Sequence, residues 1–160
     1  MNDFDPLTYR KALGQFATGV TIVTTRGPDG VPAGVTSNSF NTVSLSPPLI
    51  LWSIAKTARS LSAFAVAPEF TVHILASDQA NLASLFASRV EDKFSDLGLG
   101  HDGPPLIDGC VARLHCKTHA RHEGGDHIII IGEVERFDVN AKEPLLFHAG
   151  KFAERLHRAD

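Results

Sequence analysis

An antiparallel β-barrel, mainly β with a few short flanking helices, is the fold class that the sequence predicts. Three observations predict it: short runs rich in β-branched and aromatic residues recur at close spacing, turn residues separate them, and no strand-helix alternation repeats as a Rossmann sheet requires. The 160 residues fit one domain, read here as residues 1–160, with a single core that buries about two thirds of the unfolded surface.

Asp5-Pro6, followed by Leu7, Leu13, Phe16 and Ala17, predicts an amphipathic helix that ends near Gly19. Residues 20–25 are rich in β-branched side chains, Arg26-Gly27-Pro28-Asp29-Gly30 supplies a turn, and residues 31–40 run back extended, which makes a hairpin. Residues 42–45 and 49–54 form two more strands about the rigid Ser46-Pro47-Pro48 turn. Thr57 or Ser60 caps a short helix through Leu61, Phe64 and Ala65, and Pro68 stops it before a strand over 70–75. Asp78 caps a further helix whose Leu82, Leu85 and Phe86 sit at helical spacing, and residues 89–109, polar and rich in Gly and Pro, read as loop. Alternation over 110–119 and the isoleucine run within 127–139 predict two strands about Glu123-Gly124-Gly125-Asp126, and residues 145–148 add a last one.

Composition removes several function classes. With a net charge of -3 and its Lys and Arg scattered singly, the chain has no basic stripe to track a nucleic-acid backbone. Its first residues, Met1-Asn2-Asp3-Phe4-Asp5-Pro6, are acidic where an export signal is positive, and no apolar stretch nears the roughly 20 residues that span a bilayer. The expectation is a cytoplasmic protein that contacts neither membrane nor nucleic acid. Cys110 and Cys116 sit six apart on one predicted strand, much farther than the ~5.5 Å that a disulfide prefers, so both read as free buried thiols. Neither a GxGxxG fingerprint nor a GxSxG elbow occurs, so a nicotinamide has to bind by other means and a serine nucleophile is not indicated.

Four segments carry candidate chemistry. Gly34-Val35-Thr36-Ser37-Asn38-Ser39-Phe40 sets small polar or glycine residues in a strand that otherwise favours bulk. Either a flat, acceptor-rich heterocycle lies against it or it is a solvated edge strand. Lys56-Thr57-Ala58-Arg59-Ser60 gathers cations and hydroxyls at a helix start, as a phosphate site or as an ordinary capped surface helix. Gly124-Gly125-Asp126-His127 delivers a histidine to the first position of a buried strand, where it can orient a substrate. Glu91-Asp92-Lys93-Phe94 lies in the long loop, either folding over a ligand or simply solvated. His115, His119, His122 and His127 have no short helical spacing and no placed acidic partner, so no metal site is expected.

In order along the chain, seven segments resemble the short-chain flavin reductase family, the reductase components of two-component flavin monooxygenases. They are residues 10–25, 34–40, 44–48, 56–60, Lys93-Phe94, Gly125-Asp126-His127, and 144–147. The resemblance implies a split β-barrel of antiparallel, Greek-key type, and a homodimer with FMN or FAD at its interface. It further implies NADH or NADPH as hydride donor and a flavin-dependent monooxygenase as the recipient of reduced flavin. By the same carry-over Thr36, Ser37, Asn38 and Ser39 line the isoalloxazine and ribityl chain, and Ser53 and Ile54 border the ring. Lys56 and Ser60 hold phosphate, Lys93 and Phe94 close over the tail, and His127 meets the nicotinamide. Trp52 departs from the pattern, which calls for a smaller or less aromatic residue.

Hydride transfer between two cofactors needs no protein acid or base, so His127 is expected to position the nicotinamide rather than shuttle a proton. The main rival is a non-catalytic flavin-binding electron-transfer protein, against which the Gly125-Asp126-His127 turn argues. A pyridoxamine phosphate oxidase-like binder on the same barrel calls for more arginines about its phosphate.

Overall fold

Asp5 opens the first helix, α1 (Pro6–Leu13), its carboxylate accepting from the amides of Leu7 and Thr8. The computed structural model describes residues 5–97 and 102–153. α1 stops at Leu13, short of Gly19, where Gly14 and the turns at Gln15 and Phe16 end it. None of its residues is buried, so the expected apolar stripe does not pack on the core.

Ten strands follow the helix: β1 (Thr18–Gly19), β2 (Thr21–Arg26), β3 (Pro32–Ser37), β4 (Asn41–Leu45), β5 (Pro48–Ala55), β6 (Glu69–Ile74), β7 (Ala112–Gly124), β8 (His127–Val139), β9 (Leu146–His148) and β10 (Lys151–Ala153). Two further helices, α2 (Leu61–Val66) and α3 (Ala80–Ala87), flank them. A seven-stranded antiparallel sheet runs β3-β2-β6-β7-β8-β5-β4, and β1-β9-β10 form a second sheet. The end strands β3 and β4 do not pair with each other, so the sheet does not close, which is compatible with a split barrel. Just past β3, the Ser39 hydroxyl joins the two flanks. It accepts from the Ser53 amide at 2.8 Å and donates to the Ser53 carbonyl at 3.2 Å.

Two hydrophobic clusters sit on opposite faces of β2, which explains a strand without polar alternation. Val23 packs inside the barrel with Trp52, Phe64, Phe70 and Ile130, while Ile22 packs outside it with Phe86, Phe94, Ile107 and Leu145. The threonines of β2 are buried but satisfied: the hydroxyls of Thr21, Thr24 and Thr25 donate to the carbonyls of Ser37, Pro105 and Glu69 at 2.6–2.7 Å. Across the interior, Gly132 makes room for Phe70, whose ring would lie 2.4 Å from a Cβ at that position.

Several elements differ from expectation. Asp78 does not cap α3. A 3-10 turn over Ser77–Gln79 precedes that helix, and the Gln79 side chain accepts from the Ala76 amide. Ser60 stands at the α2 N-cap, but its hydroxyl makes no cap bond. β10 is unexpected, because three residues are too few to show a period. Cys110 lies before β7, in the outer cluster, and Cys116 in the inner one, so the two thiols do not share a strand face. Both are free, and burial pushes them up to about 11 and about 12.

His73, on β6, was invisible to pattern reasoning and is fully buried. Its Nδ1 bonds the Ile22 carbonyl at 3.0 Å, and its Nε2 accepts from the Ile107 amide at 3.2 Å. It therefore fastens the long loop to the outer face of the sheet as a neutral ring. Burial pulls its pKa down to about 4, against the opposing pull of the Ile22 carbonyl.

Candidate functional site

The small polar segment of β3 lies on a sheet edge, so one side of its backbone has no ladder partner. Within it the side chains diverge. The Thr36 hydroxyl is spent on the Ala83 carbonyl of α3 at 2.6 Å, leaving only its backbone for a ligand. Ser37 and Ser39 hydroxyls meet at 2.7 Å, and Ser39 reaches Ser53, so these three serines form one polar cluster. Asn38 is exposed beside them. Gly34 is required behind this edge, because a Cβ there would lie 2.6 Å from the Phe86 ring and 3.0 Å from that of Phe94.

Strand β5 separates the two halves of the expected ring border. Ser53 faces away from the core, whereas Ile54 is buried within it, so Ile54 can offer a ring only backbone. Trp52 likewise points inward, edge-on to Phe64 at 4.9 Å and to Phe70 at 5.9 Å. Its bulk therefore lies in the core, where its indole Nε1 is buried without a hydrogen-bond partner among the described residues.

His127 shares a surface with Ser53. The register pairs Ser53 with Ile129 and Ala55 with His127, and directly paired residues project to the same face. The turn that carries His127 is braced twice against the end of β5: the Lys56 amide donates to the Asp126 carbonyl at 2.9 Å, and the Lys56 ammonium pairs with Glu123. His127 Nδ1 lies 2.7 Å from Asp126 Oδ1, and this bond and the nearby imidazole hold the Asp126 carboxyl below its usual range. A ring donating from Nδ1 leaves Nε2 to face a ligand.

The phosphate segment is divided. Lys56 goes to Glu123, whereas Arg59 and Ser60 line a cavity of 740 Å³ together with Lys93 and Phe94. Arg59 is thus a functional candidate that sequence reasoning did not single out, although it lies within residues 56–60. Its guanidinium donates to the Arg89 carbonyl at 2.8 Å, and the Lys93 ammonium donates to the Phe86 carbonyl at 2.8 Å. Burial, and then the proximity of Arg59, lower the Lys93 pKa. Phe94 is buried edge-on to Phe86 at 5.0 Å, so it closes the cavity wall rather than standing free. Among the described residues no three His, Cys, Asp or Glu side chains converge as metal ligands.

Comparison with known proteins shows the family. Residues 13–155 match the model of the flavin reductase like domain. The chain is 46% identical over 147 residues to the FMN reductase (NADH) SmoA of Agrobacterium fabrum, covering 91% of this chain and 83% of that one. It is 43% identical to the reductase component of the flavin-dependent trigonelline monooxygenase of Acinetobacter baylyi, where it covers 89% of itself and 47% of that longer protein. The structure of the Streptomyces globisporus NADH:FAD oxidoreductase SgcE6, in complex with NAD and FAD fragments, superposes with a TM-score of 0.89. That protein is 42% identical to this chain, with 98% and 96% of the two chains covered. This chain belongs to the flavin reductase like domain family.

Proposed function

We propose that this protein is a nicotinamide-dependent flavin oxidoreductase that reduces FMN or FAD and supplies reduced flavin to a flavin-dependent monooxygenase. Its family and the reductase-component names of its relatives support this, with NADH the donor that those names give. The observation that carries the reading is one juxtaposition: a polar β3 edge at Ser37 and Ser39, tied to Ser53, with His127 on the Ser53 face and, at the start of the same strand, two cations along a cavity that Gly34 lines.

These residues fit a flavin. Unpaired strand-edge backbone and the Asn38 amide suit a flat ring that both donates and accepts, and Arg59, Ser60 and Lys93 suit a terminal phosphate. When bound, the flavin supplies the hydride-accepting centre and the nicotinamide the donating one. The protein's part is to align the two rings and exclude water, with Ser37, Asn38, Ser39 and the backbone at Thr36 and Ile54 along the flavin. His127 orients the carboxamide of the nicotinamide through Nε2. A homodimer is supported by the apolar surface left uncovered on one chain, where Leu7, Leu13 and Phe16 are exposed. Free, buried thiols support a reducing cytoplasmic setting, and no helix among the described residues is long and apolar enough to cross a membrane.

The deciding experiment mixes the flavin-loaded protein with NADH anaerobically and follows flavin absorbance. Rapid bleaching that repeats with each added flavin equivalent is the expected result, and flavin that binds but stays oxidised identifies a carrier instead. Two substitutions resolve the roles. H127A is expected to raise the nicotinamide KM about tenfold, roughly the contribution of one hydrogen bond, with less change in flavin affinity. Unaltered steady-state constants remove His127 from the site. R59A is expected to weaken FMN binding about tenfold while leaving riboflavin, which lacks phosphate, unaffected. Equal losses for both ligands in calorimetric titrations would place Arg59 elsewhere.

A further inference from the structure

The helix α2 lacks its own means of stability. It has six residues, too few to hold a helix alone, its Ser60 hydroxyl makes no cap bond, and no basic residue stands in its last turn. Its last carbonyls are nevertheless satisfied, from a distant strand. Arg121, on β7, donates from Nε to the Phe64 carbonyl at 3.1 Å and from Nη2 to the Ala67 carbonyl at 2.5 Å. Its register partner is Ile130 of the inner cluster, so the guanidinium projects from the inner face of β7, toward the helix whose Phe64 enters that cluster. Among the described residues no carboxylate pairs with Arg121. The cation that a helix C-terminus favours is thus supplied by the sheet.

The same β7–β8 hairpin holds the other end of the segment. Before α2, the Lys56 amide donates to the Asp126 carbonyl at 2.9 Å and the Lys56 ammonium pairs with Glu123. After it, the Thr118 hydroxyl and amide donate to the carbonyls of Ala67 and Pro68, each at 2.8 Å. Arg59 stands between these two fastenings. It needs such a frame, because Asp29 and Glu91 line its cavity as well, and a guanidinium free to turn is drawn to a carboxylate.

We infer that Arg121 is a positioning residue for the bound flavin: by closing the C-terminus of α2 it keeps Arg59 turned toward the phosphate, without touching the flavin itself. The inference rests on the flavin reading above and adds to it a residue that does not line the cavity.

Isothermal titration of the full chain with FMN and with riboflavin tests it. R121M keeps the length of the side chain and removes both donors. It is expected to lower the ratio of FMN to riboflavin affinity at least threefold, because only FMN carries the phosphate that Arg59 meets. In the R59A background the same substitution is expected to leave the ratio where R59A alone puts it. Equal losses for the two ligands, an unchanged ratio, or a second drop of the same size in the R59A background overturn the assignment while leaving flavin binding intact. Where R121M does not fold, R121K carries the same test, since one ammonium replaces the two-pronged donor; a drop of at least twofold is expected, and an unchanged ratio overturns the assignment. Failure of the wild type to bind either ligand overturns the flavin reading itself, and the positioning role with it.

Discussion

F86A is expected to cost about 3–5 kcal/mol of folding stability, read as a lowered midpoint in urea or guanidinium unfolding at unchanged slope. Phe86 is fully buried in the outer cluster, edge-on to Phe94, and it fills the space that Gly34 leaves open. The same packing predicts a coupling. G34A alone forces a Cβ to within 2.6 Å of the Phe86 ring and destabilises by about 1–3 kcal/mol through overpacking. In the F86A background only the 3.0 Å approach to Phe94 remains, so the second substitution costs less than it does alone. Additive losses in the double variant would mean that Gly34 is needed for some reason other than the aromatic ring behind it.

The second large effect is an acid-dependent loss of stability that originates at His73. Its pKa is about 4 in the folded protein against an ordinary 6.5, so the unfolded chain binds the proton more readily. A group whose folded pKa is depressed contributes stability that is fully present above pH 6.5 and is lost as pH falls through 6.5 toward 4. At 1.36 kcal/mol per pH unit the loss is on the order of 3 kcal/mol. Charging the ring also breaks the bond that Nε2 accepts from the Ile107 amide, releasing the loop from the outer cluster. H73Q keeps a polar side chain that does not titrate, so its unfolding free energy should lack this slope between pH 6.5 and 4. A slope equal to that of the wild type would assign the acid sensitivity to other groups.

Much of the architecture was legible because the strands obey simple patterns. β5 alternates inward and outward, and the turns at residues 26–30 and 123–126 carry the residues such turns need. β2 reads as a β-branched run because both of its faces are buried, which periodicity alone does not distinguish from other buried segments. What the chain could not disclose depends on distant partners. Thr36 looks like a ligand-facing hydroxyl until α3 claims it, and Lys56 looks like a phosphate cation until Glu123, far along the chain, pairs with it. Arg59 and Lys56 are three residues apart and equally charged, and only the path of the backbone into α2 turns one toward the cavity and the other toward the His127 turn. His73 carried no signal at all, since a lone histidine in a buried strand finds its two partners only after folding.

The unpaired edges of β3 and β4 leave a seam in the wall beside the serine cluster, bridged there by side-chain hydrogen bonds to the Ser53 backbone. A planar guest seated at such a seam can slide out sideways without any ladder hydrogen bond breaking. Its departure is then limited by its own contacts, not by unzipping of the host. That suits the role proposed above, in which reduced flavin passes to a monooxygenase.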